Sequence, residues 1–375
     1  MLRIGIIGAG FIARPHVQGL RALREIWGSA LPGVELAAVC DERPELAQAF
    51  ADRFGIPRVA GDWHELTGDP RLDAVLVLVP NDLHVPIALD ALAHGKHVLC
   101  EKPLAPTAAA AADLVRAALE AGTVAQVAFA YRCWPAVQHA RDLVATGEIG
   151  EVVAFRGRFL HDYGLDPAHP YSWRFSRARA GAGALGDLGS HVIDLARVLV
   201  GEIAGVAAAR TRTLIAERAD ADGRRQPVDV DDAAELWLDF DTGATGAIDV
   251  GWAAAGHRTD IAFELHGRSG ALSFAWGRGG RLELWSGRGP EGLEGGRTVE
   301  LGPHHPGALW PVPGIGMGWG EAFVLTAREF VRAIAGEPAG AATFYDGLRA
   351  AEVVEAAQAV AAAAPAPEPI RRPHR

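Results

Sequence analysis

The chain is short of cysteine and has no long hydrophobic run. Among its 375 residues, the three cysteines, Cys40, Cys100 and Cys133, lie far apart and form no CxxC pair. This spacing disfavours a disulfide framework or a cysteine-based zinc site and favours a reducing, cytoplasmic compartment. No apolar stretch approaches the ~18 residues of a membrane-spanning helix, so we expect no membrane partner.

Positive charge is also scarce, with 36 Lys and Arg against 46 Asp and Glu and a net charge of −10. No block of like charges concentrates in either half, so we expect no nucleic-acid partner. The chain has only two lysines, Lys96 and Lys102, and one asparagine, Asn81. In a chain that has so few lysines and asparagines, those that are present can mark positions where the chemistry requires them. The alternative is that one is kept by chance at a surface position such as Lys96. Lys102 and Asn81 are therefore candidate functional residues.

The first 130 residues alternate apolar strands with helical segments. Strands are predicted over 3–7, 34–40, 74–79, 97–100 and 124–128, with helices over 44–54, 86–94 and 107–121 between them. Short connections between strands and helices indicate an α/β domain with a doubly wound parallel sheet, a Rossmann domain. At ~150 residues per domain, we expect two domains, covering residues 1–130 and 131–375.

A glycine pattern lies where the first strand meets the first helix. Gly8-Ala9-Gly10-Phe11-Ile12-Ala13 reads as GxGxxA. In that context Gly8 permits a tight turn, Gly10 lets the backbone approach a pyrophosphate, and the helix N-terminus offers its N–H groups. The pattern alone is weak, and a chance match is the alternative. Its position at a strand–helix junction favours a dinucleotide site that includes Phe11 and Ile12.

Asp41 follows the second strand and is the candidate ribose-binding acid. Its carboxylate would accept hydrogen bonds from the ribose hydroxyls and repel a 2′-phosphate, which favours NAD over NADP. Arg43 weakens this preference, because an arginine there could pair with a 2′-phosphate or stack on adenine. An N-cap role for Asp41 is a compatible alternative.

From residue 131 onward the strand–helix alternation stops. Period-two strands are predicted over 152–159, 206–213, 233–240, 244–252, 260–266 and 271–274, joined in part by hairpin turns at 241–243 and 268–270. This pattern predicts an α+β domain built on a large, mainly antiparallel open sheet. Its uncovered face is the candidate interface of a homodimer or homotetramer.

A glycine-rich segment leads into a helix that carries Asp187, His191 and Asp194. Asp187 and His191 are four residues apart, so both project from one face of the helix, and Asp194 continues that stripe. A carboxylate beside an imidazole orients a base and raises its basicity. Spacing alone leaves a structural role for these residues open.

Taken together, these motifs resemble the Gfo/Idh/MocA oxidoreductases over the whole chain, in order. The motifs are Gly8 to Ala13, Pro80-Asn81-Asp82-Leu83-His84, Glu101-Lys102-Pro103, Tyr131-Arg132, Tyr171-Ser172-Trp173-Arg174 and the Asp187–His191–Asp194 helix. In that family hydride passes between NAD(P) and a sugar or cyclitol. The resemblance implies a catalytic lysine at Lys102, an acid at Asp187 and a histidine at His191.

The resemblance also implies further site residues. Contacts to the cofactor are expected from Gly8, Gly10, Phe11, Ile12, Asp41, Arg43, Pro80, Asn81, His84, Glu101, Lys102, Trp173 and Arg174. Contacts to the substrate are expected from Lys102, Arg132, Tyr163, Asp187 and His191. We expect no metal, since His304 and His305 lack further ligands at suitable spacing. Segment 302–320 is expected to form a lid over the sugar.

Within the family the sequence looks closest to inositol dehydrogenases and levoglucosan-type dehydrogenases. We therefore expect oxidation of a secondary ring hydroxyl of a cyclitol, pyranose or anhydro-sugar to a ketone. Two alternatives stay open. The family resemblance also covers NAD-dependent glycoside hydrolases, which use hydride transfer transiently, and non-enzymatic regulators that sense NAD or sugar.

Overall fold

The computed structural model describes residues 1–278, 281–287 and 295–365. The first part of the chain forms five strands: β1 (Leu2–Ile7), β2 (Val34–Cys40), β3 (Ala74–Val77), β4 (His97–Cys100) and β5 (Ala125–Val127). Five helices accompany them: α1 (Ala13–Trp27), α2 (Pro44–Phe54), α3 (His64–Thr67), α4 (Asn81–Ala93) and α5 (Ala108–Ala121). All the strand pairs are parallel, in the order β2-β1-β3-β4-β5. The predicted doubly wound sheet is confirmed.

The helix after β3 begins earlier than predicted. The proline at position 86 suggested a helix start, but α4 already begins at Asn81, with Pro80 as its N-cap. A proline inside a helix removes one backbone hydrogen bond, and burial of Ile87, Ala88 and Ala91 on this helix offsets that loss.

The second part of the chain forms an eight-stranded sheet and a small hairpin. Its strands are β6 (Val152–Leu160), β7 (Ile203–Arg212), β8 (Glu217–Ala219), β9 (Arg225–Pro227), β10 (Ala233–Phe240), β11 (Thr245–Gly251), β12 (Asp260–Gly267), β13 (Gly270–Ala275), β14 (Leu282–Ser286) and β15 (Gly295–Val299). The large sheet has the order β15-β14-β13-β12-β6-β11-β10-β7, and β8 pairs with β9 separately. Only the β6–β11 pair is parallel among the strand pairs described for this sheet. The prediction of a mainly antiparallel sheet is confirmed.

The described residues of the second part also form the α-helices α6 (Pro135–Ala145), α7 (Arg177–Ala180), α8 (Ser190–Val200), α9 (Trp319–Ile334) and α10 (Phe344–Ala363). Helices α8 and α10 pack against one face of the large sheet. Helix α9 instead returns to the first sheet and packs on α1, where a Cβ at Gly19 would lie 2.6 Å from the carbonyl oxygen of Phe323. The last third of the chain therefore contributes to both halves of the molecule.

The opposite face of the large sheet is not covered by any described helix. Two large apolar side chains stand on its strands, Trp237 and Trp285, which are 53% and 49% exposed. Within the described residues, no helix is both long and apolar enough to cross a bilayer.

Candidate active site

A cleft of about 1210 Å³ runs along the C-terminal ends of β1 to β4 and faces the large sheet. In the strand order β2-β1-β3-β4-β5, the connections turn in opposite directions on the two sides of the boundary between β1 and β3. Open parallel sheets bind ligands at such a boundary. Most of the predicted site residues line this cleft: Gly8, Gly10, Phe11, Ile12, Asp41, Arg43, Pro80, Asn81, Glu101, Lys102, Tyr163, Trp173, Arg174, Asp187 and His191.

The turn after β1 has the geometry that a dinucleotide requires. Gly8 has a φ of +98°, and a Cβ there would lie 2.3 Å from the carbonyl oxygen of Leu78. A Cβ at Gly10 would meet nothing within 4 Å, so the backbone there borders open cleft. No acidic residue stands in the first turn of α1. These features fit a pyrophosphate at the helix N-terminus, where a carboxylate would repel it.

Asp41 organises this turn as well as lining the cleft. Its Oδ2 accepts a hydrogen bond from the Ala9 amide at 2.8 Å, and its Oδ1 accepts one from the Arg43 amide at 3.0 Å. Helix α2 has Arg43 as its N-cap, so Asp41 is not the capping residue. Arg43 Nε lies 3.7 Å from Asp41 Oδ1, and Glu42 and Asp62 line the same end of the cleft. The excess of negative charge there disfavours a 2′-phosphate.

Lys102 reaches from the first sheet to the segment that carries Asp187. Its Nζ lies 2.6 Å from Asp187 Oδ1 and 2.9 Å from the Asp187 carbonyl oxygen. The preceding residue, Glu101, is buried and fixes this loop, because Oε1 bonds His16 Nε2 at 2.7 Å and Oε2 accepts from the Lys102 amide at 3.0 Å. Burial raises the pKa of Glu101, but the hydrogen bonds and charges of His16 and Lys102 outweigh it and lower the pKa overall.

Asp187 lies in a single π-helical turn, Leu185–Gly189, immediately before α8. Such turns are frequent at functional sites. The buried carboxylate of Asp231 anchors the turn by accepting from the amides of Gly183 at 2.9 Å and Leu185 at 2.7 Å. A Cβ at Gly183 would lie 1.9 Å from the Asp231 carbonyl oxygen, so only glycine fits there.

Asp187 remains ionised despite its burial. Burial raises its pKa, but the charges of Lys102 and Arg174 and the hydrogen bond from Lys102 outweigh burial and hold the pKa well below the usual range. The hydroxyl of Tyr163 donates to the second carboxylate oxygen, Oδ2, at 3.3 Å. Asp187 is thus bound from two sides of the cleft.

His191 lies in a largely apolar part of the cleft. Its ring contacts those of Tyr131, Phe129 and Phe159, with centroids 4.6, 5.8 and 5.9 Å away. Burial, together with the positive charge of Lys102, lowers the pKa of His191 well below 6.5, and Asp187 offsets this only in part. The imidazole is therefore neutral near pH 7 and able to accept a proton.

Arg132 does not line the cleft, contrary to the expectation from its place in the sequence. Its guanidinium is buried and pairs with Asp194, with Nε 2.9 Å from Oδ2, and with Asp346 at 3.1 Å. Asp194 consequently faces away from the site and does not continue the Asp187–His191 face. A buried guanidinium needs such carboxylate partners. The sequence gives no sign that Asp346, more than two hundred residues further along the chain, is the partner of Arg132.

His84 also lies outside the cleft lining, so the prediction that it contacts the cofactor is not supported. It is fully buried, and its two ring nitrogens lie 2.9 Å from the carbonyl oxygens of Pro103 and Val79. These contacts tie the turn after Lys102 to the end of β3. His84 therefore contacts the backbone of the loop that follows Lys102 and does not itself line the cleft.

Several cleft residues were not predicted. They include Asp62, Trp63, Phe159, His169, Thr259 and Trp276. Asp231 was also missed, because it acts through backbone amides more than forty residues earlier and no local spacing reveals it.

Segment 302–320 does not form the expected lid. Of its residues only Trp319 lines the cleft, where its ring stacks on Phe11 with centroids 5.6 Å apart. The rest of the segment borders a separate small cavity beside Trp134 and Trp276, or solvent. His305 contacts His139, and no group of three or more potential metal ligands occurs in the described part of the chain.

Comparisons with known proteins agree with this geometry. A family profile described as "Oxidoreductase family, NAD-binding Rossmann fold" matches residues 2–129, and one described as "GFO/IDH/MocA C-terminal domain" matches residues 137–273. Levoglucosan dehydrogenase of Pseudarthrobacter phenanthrenivorans is 38% identical over 370 residues, covering 95% of both chains. scyllo-Inositol 2-dehydrogenase (NAD(+)) of Bacillus subtilis is 28% identical over 292 residues, covering 77% of this chain and 78% of its own.

Solved structures give the same result. A levoglucosan dehydrogenase in complex with NADH and levoglucosan superposes with a TM-score of 0.92 at 38% identity, covering 96% of this chain and 97% of that one. Both family profiles match, and a relative at 38% identity covers nearly the whole chain. The chain belongs to the Gfo/Idh/MocA oxidoreductases and is an NAD-dependent enzyme.

Proposed function

We propose that the enzyme oxidises a secondary ring hydroxyl of an anhydro-sugar, pyranose or cyclitol to a ketone, with levoglucosan as the first substrate to test. The observation that carries the proposal is the 2.6 Å contact between Lys102 Nζ and Asp187 Oδ1 in the cleft that His191 also lines. The 38% identity to levoglucosan dehydrogenase over nearly the whole chain supports the substrate class.

The proposed roles follow from charge and burial. His191, neutral near pH 7, takes the proton of the substrate hydroxyl as general base. Lys102 donates to the same oxygen and stabilises the developing alkoxide. Asp187 holds the ammonium in position and binds a neighbouring substrate hydroxyl. Tyr163, beside Asp187, contributes to the same substrate pocket.

NAD bound in this cleft would accept the hydride from the ring carbon. Its pyrophosphate would lie against Gly8, Gly10, Phe11 and Ile12, and its adenosine ribose against Asp41. The further proposed contacts to the cofactor, all of which line the same cleft, are Pro80, Asn81, Glu101, Lys102, Trp173 and Arg174. Arg174 stacks on Trp173, with its guanidinium carbon 4.5 Å from a ring centroid. The acidic surroundings of Arg43 support NAD as the preferred cofactor, and NADP as a poorer one.

The two alternatives are not favoured. The relatives reported above are named as dehydrogenases, not as glycoside hydrolases. A regulator without catalysis would have no need of Lys102, Asp187 and His191 together in one cleft. The cytoplasm is where we expect the enzyme to act, because its three cysteines are buried free thiols that suit a reducing compartment.

A second copy of this chain is the proposed partner of the open sheet face. A depression there is lined by three arginines, Arg156, Arg158 and Arg281, and by the acidic Asp249, Glu264 and Glu283. Both signs of charge on one face permit a self-complementary dimer contact, which a twofold axis requires. The exposed Trp237 and Trp285 supply its apolar part.

A substrate panel tests the proposed function. Levoglucosan, 1,5-anhydroglucitol, glucose, myo-inositol and scyllo-inositol are each incubated with NAD and with NADP while reduced cofactor is followed by absorbance. We expect formation of NADH with at least one of these sugars and slower reduction of NADP. Absence of reduced cofactor with every sugar, or hydrolysis of levoglucosan to glucose without net NADH, would contradict the proposal.

A further inference from the structure

A buried arginine outside the catalytic group holds one wall of the cleft. Arg218, on β8, is 0% exposed. Its Nη1 donates to the carbonyl oxygens of Asp166 at 2.8 Å and His169 at 3.3 Å, and its Nη2 donates to that of Gly164 at 2.6 Å. In the described part of the chain it forms no ion pair with a carboxylate. Burying a charge without a paired carboxylate is costly, so we looked for what this guanidinium holds in place.

The three carbonyls belong to the turn that we call the wall segment, residues 163–171. Backbone hydrogen bonds also hold both ends of this segment. The Gly164 amide donates to the carbonyl oxygen of Trp252, and the Tyr171 amide donates to that of Ala219, each at 2.7 Å. Ala219 follows Arg218 on the same strand. The β8–β9 hairpin therefore clamps the wall segment by a side chain and by its backbone.

The wall segment carries two side chains into the cleft. Tyr163 donates its hydroxyl to Asp187, and His169 lines the cleft beside it, with ring centroids 5.8 Å apart. Phe175, under the Arg218 guanidinium at 4.5 Å, contacts the His169 ring edge-on at 5.9 Å. Burial first, and then the positive charge of Arg218, lower the pKa of His169, which stays neutral. The clamp thus fixes the position of this wall, and its charge adds to the effect of burial on His169.

We propose that Arg218 is a positioning residue for substrate specificity: by holding three carbonyls of the wall segment, it sets the pocket for the sugar while leaving the dinucleotide turn and Asp41 untouched. The proposal rests on the proposed function for the identity of the ligand. None of the partners of Arg218 lies at the dinucleotide turn or at Asp41, so its loss should separate sugar binding from cofactor binding.

The test uses Arg218→Met and Arg218→Lys in the full-length enzyme, with Arg225→Met as the matched control on β9. Arg225 is exposed, and among the described residues its ion-pair partner is Glu217 on the neighbouring strand. We expect Arg218→Met to raise KM for the sugar by about tenfold or more, since small displacements of a binding wall have such effects. The affinity of Arg218→Met for NADH should stay within about twofold of the parent value. Arg218→Lys keeps the charge but not the forked donors, so its KM for the sugar should lie between those of the parent enzyme and Arg218→Met. Arg225→Met should match the parent enzyme.

Hydrogen–deuterium exchange of the wall segment provides a readout that does not depend on turnover. We expect faster exchange over 163–171 in both Arg218 variants and unchanged exchange in Arg225→Met. Should Arg218→Met not fold, Arg218→Lys carries the same measurements. An unchanged sugar KM, an equal loss of NADH affinity, or unchanged exchange would overturn the proposal. If the parent enzyme oxidises no sugar, the proposed function fails, and the exchange data still decide whether the clamp exists.

Discussion

The proposed roles of Lys102 and His191 differ because the surroundings of the two side chains differ. Asp187 accepts a hydrogen bond from the Lys102 ammonium at 2.6 Å. His191 lies about one helical turn further along the chain, in contact with aromatic rings such as that of Tyr131. The same positive charge that Asp187 holds helps to keep His191 neutral. One group can therefore donate to an alkoxide while the other accepts a proton.

Lys102→Met should abolish most turnover without loss of the cofactor. Removing a donor to a developing oxyanion typically lowers kcat by about 10²–10³-fold, and we expect a loss at least this large. NADH affinity, measured by fluorescence titration, should stay within a few-fold.

Lys96→Met is the matched control, since it removes the other lysine. Lys96 Nζ donates to the carbonyl oxygens of Asp69 and Leu72 at 2.6 and 2.7 Å, outside the cleft lining. This variant should lose stability but keep the kcat of the folded enzyme. Equal kinetic losses in both variants would show that Lys102 has no special role.

The acid limb of the pH profile should lie below pH 6.5. Burial and Lys102 lower the pKa of His191. The imidazole therefore stays unprotonated, and able to accept a proton from the substrate, down to a lower pH than a free histidine. A profile of kcat/KM from about pH 5 to about pH 9 measures this limb. His161→Gln is the control, because it removes another cleft imidazole whose pKa burial lowers, and it should leave the limb in place. An acid limb at or above pH 6.5 in the parent enzyme would contradict the assignment.

At the residue scale, the sequence predicts the site where local pattern and composition coincide. Lys102 stands out as one of two lysines, and Gly8 and Gly10 as part of a fingerprint. Arg132 and His84 could not be assigned correctly, because their burial depends on partners such as Asp346 and Pro103 that lie far along the chain or on another turn.

Among the elements, α8 is held in place by a buried ionic network. Arg132 pairs with Asp194 on α8 and with Asp346 on α10, and Arg197 on α8 contacts Asp346 at 3.0 Å. Arg197 also bonds Glu202 at 2.6 Å. This network fixes the helix that carries His191 without touching the cleft.

Arg132→Met should therefore destabilise the fold and not act on substrate binding directly. Breaking a buried ion pair leaves carboxylates uncompensated and costs about 3–5 kcal/mol. Denaturant unfolding measures this loss, and adding Asp194→Leu to the variant should recover part of it. Arg116→Met, which breaks the exposed pair with Asp113, should change the free energy of unfolding by about 0–1 kcal/mol. A stable Arg132→Met enzyme with a large increase in sugar KM would restore the substrate-binding role.

Element boundaries were predictable where one physical pattern dominates. Alternation of buried and exposed side chains predicts β10 over 233–240, as observed. The three-residue strands β8 and β9 are too short to show alternation, and β15 begins with two glycines, which have low strand propensity. The hairpin that carries Arg218 was missed for this reason.

For the whole molecule, the two sheets enclose the cleft and the free face of the larger sheet looks outward. Sequence patterning predicts both sheets and the open face, but not the return of α9 to α1, since an amphipathic helix does not specify which surface covers it.

Trp237→Glu should shift the enzyme towards the monomer. The substitution places a charge at the exposed apolar centre of the proposed interface, beside Glu235 and Asp239 on the same strand. Light scattering coupled to size exclusion measures the mass. Leu119→Glu on α5, a 79% exposed position away from the sheet, should leave the mass unchanged. A monomeric parent enzyme would refute the interface.

The most direct test of the central claim follows a labelled hydrogen from the sugar to the cofactor. Levoglucosan, or the best substrate of the panel, is deuterated at each secondary ring carbon in turn, and the NADH formed is analysed by mass spectrometry. We predict that one label alone is transferred stoichiometrically to NADH, with a slower rate for that isotopomer, and that Lys102→Met enzyme loaded with NAD transfers almost none. Unlabelled NADH from every isotopomer, or undiminished transfer by Lys102→Met, would contradict the account.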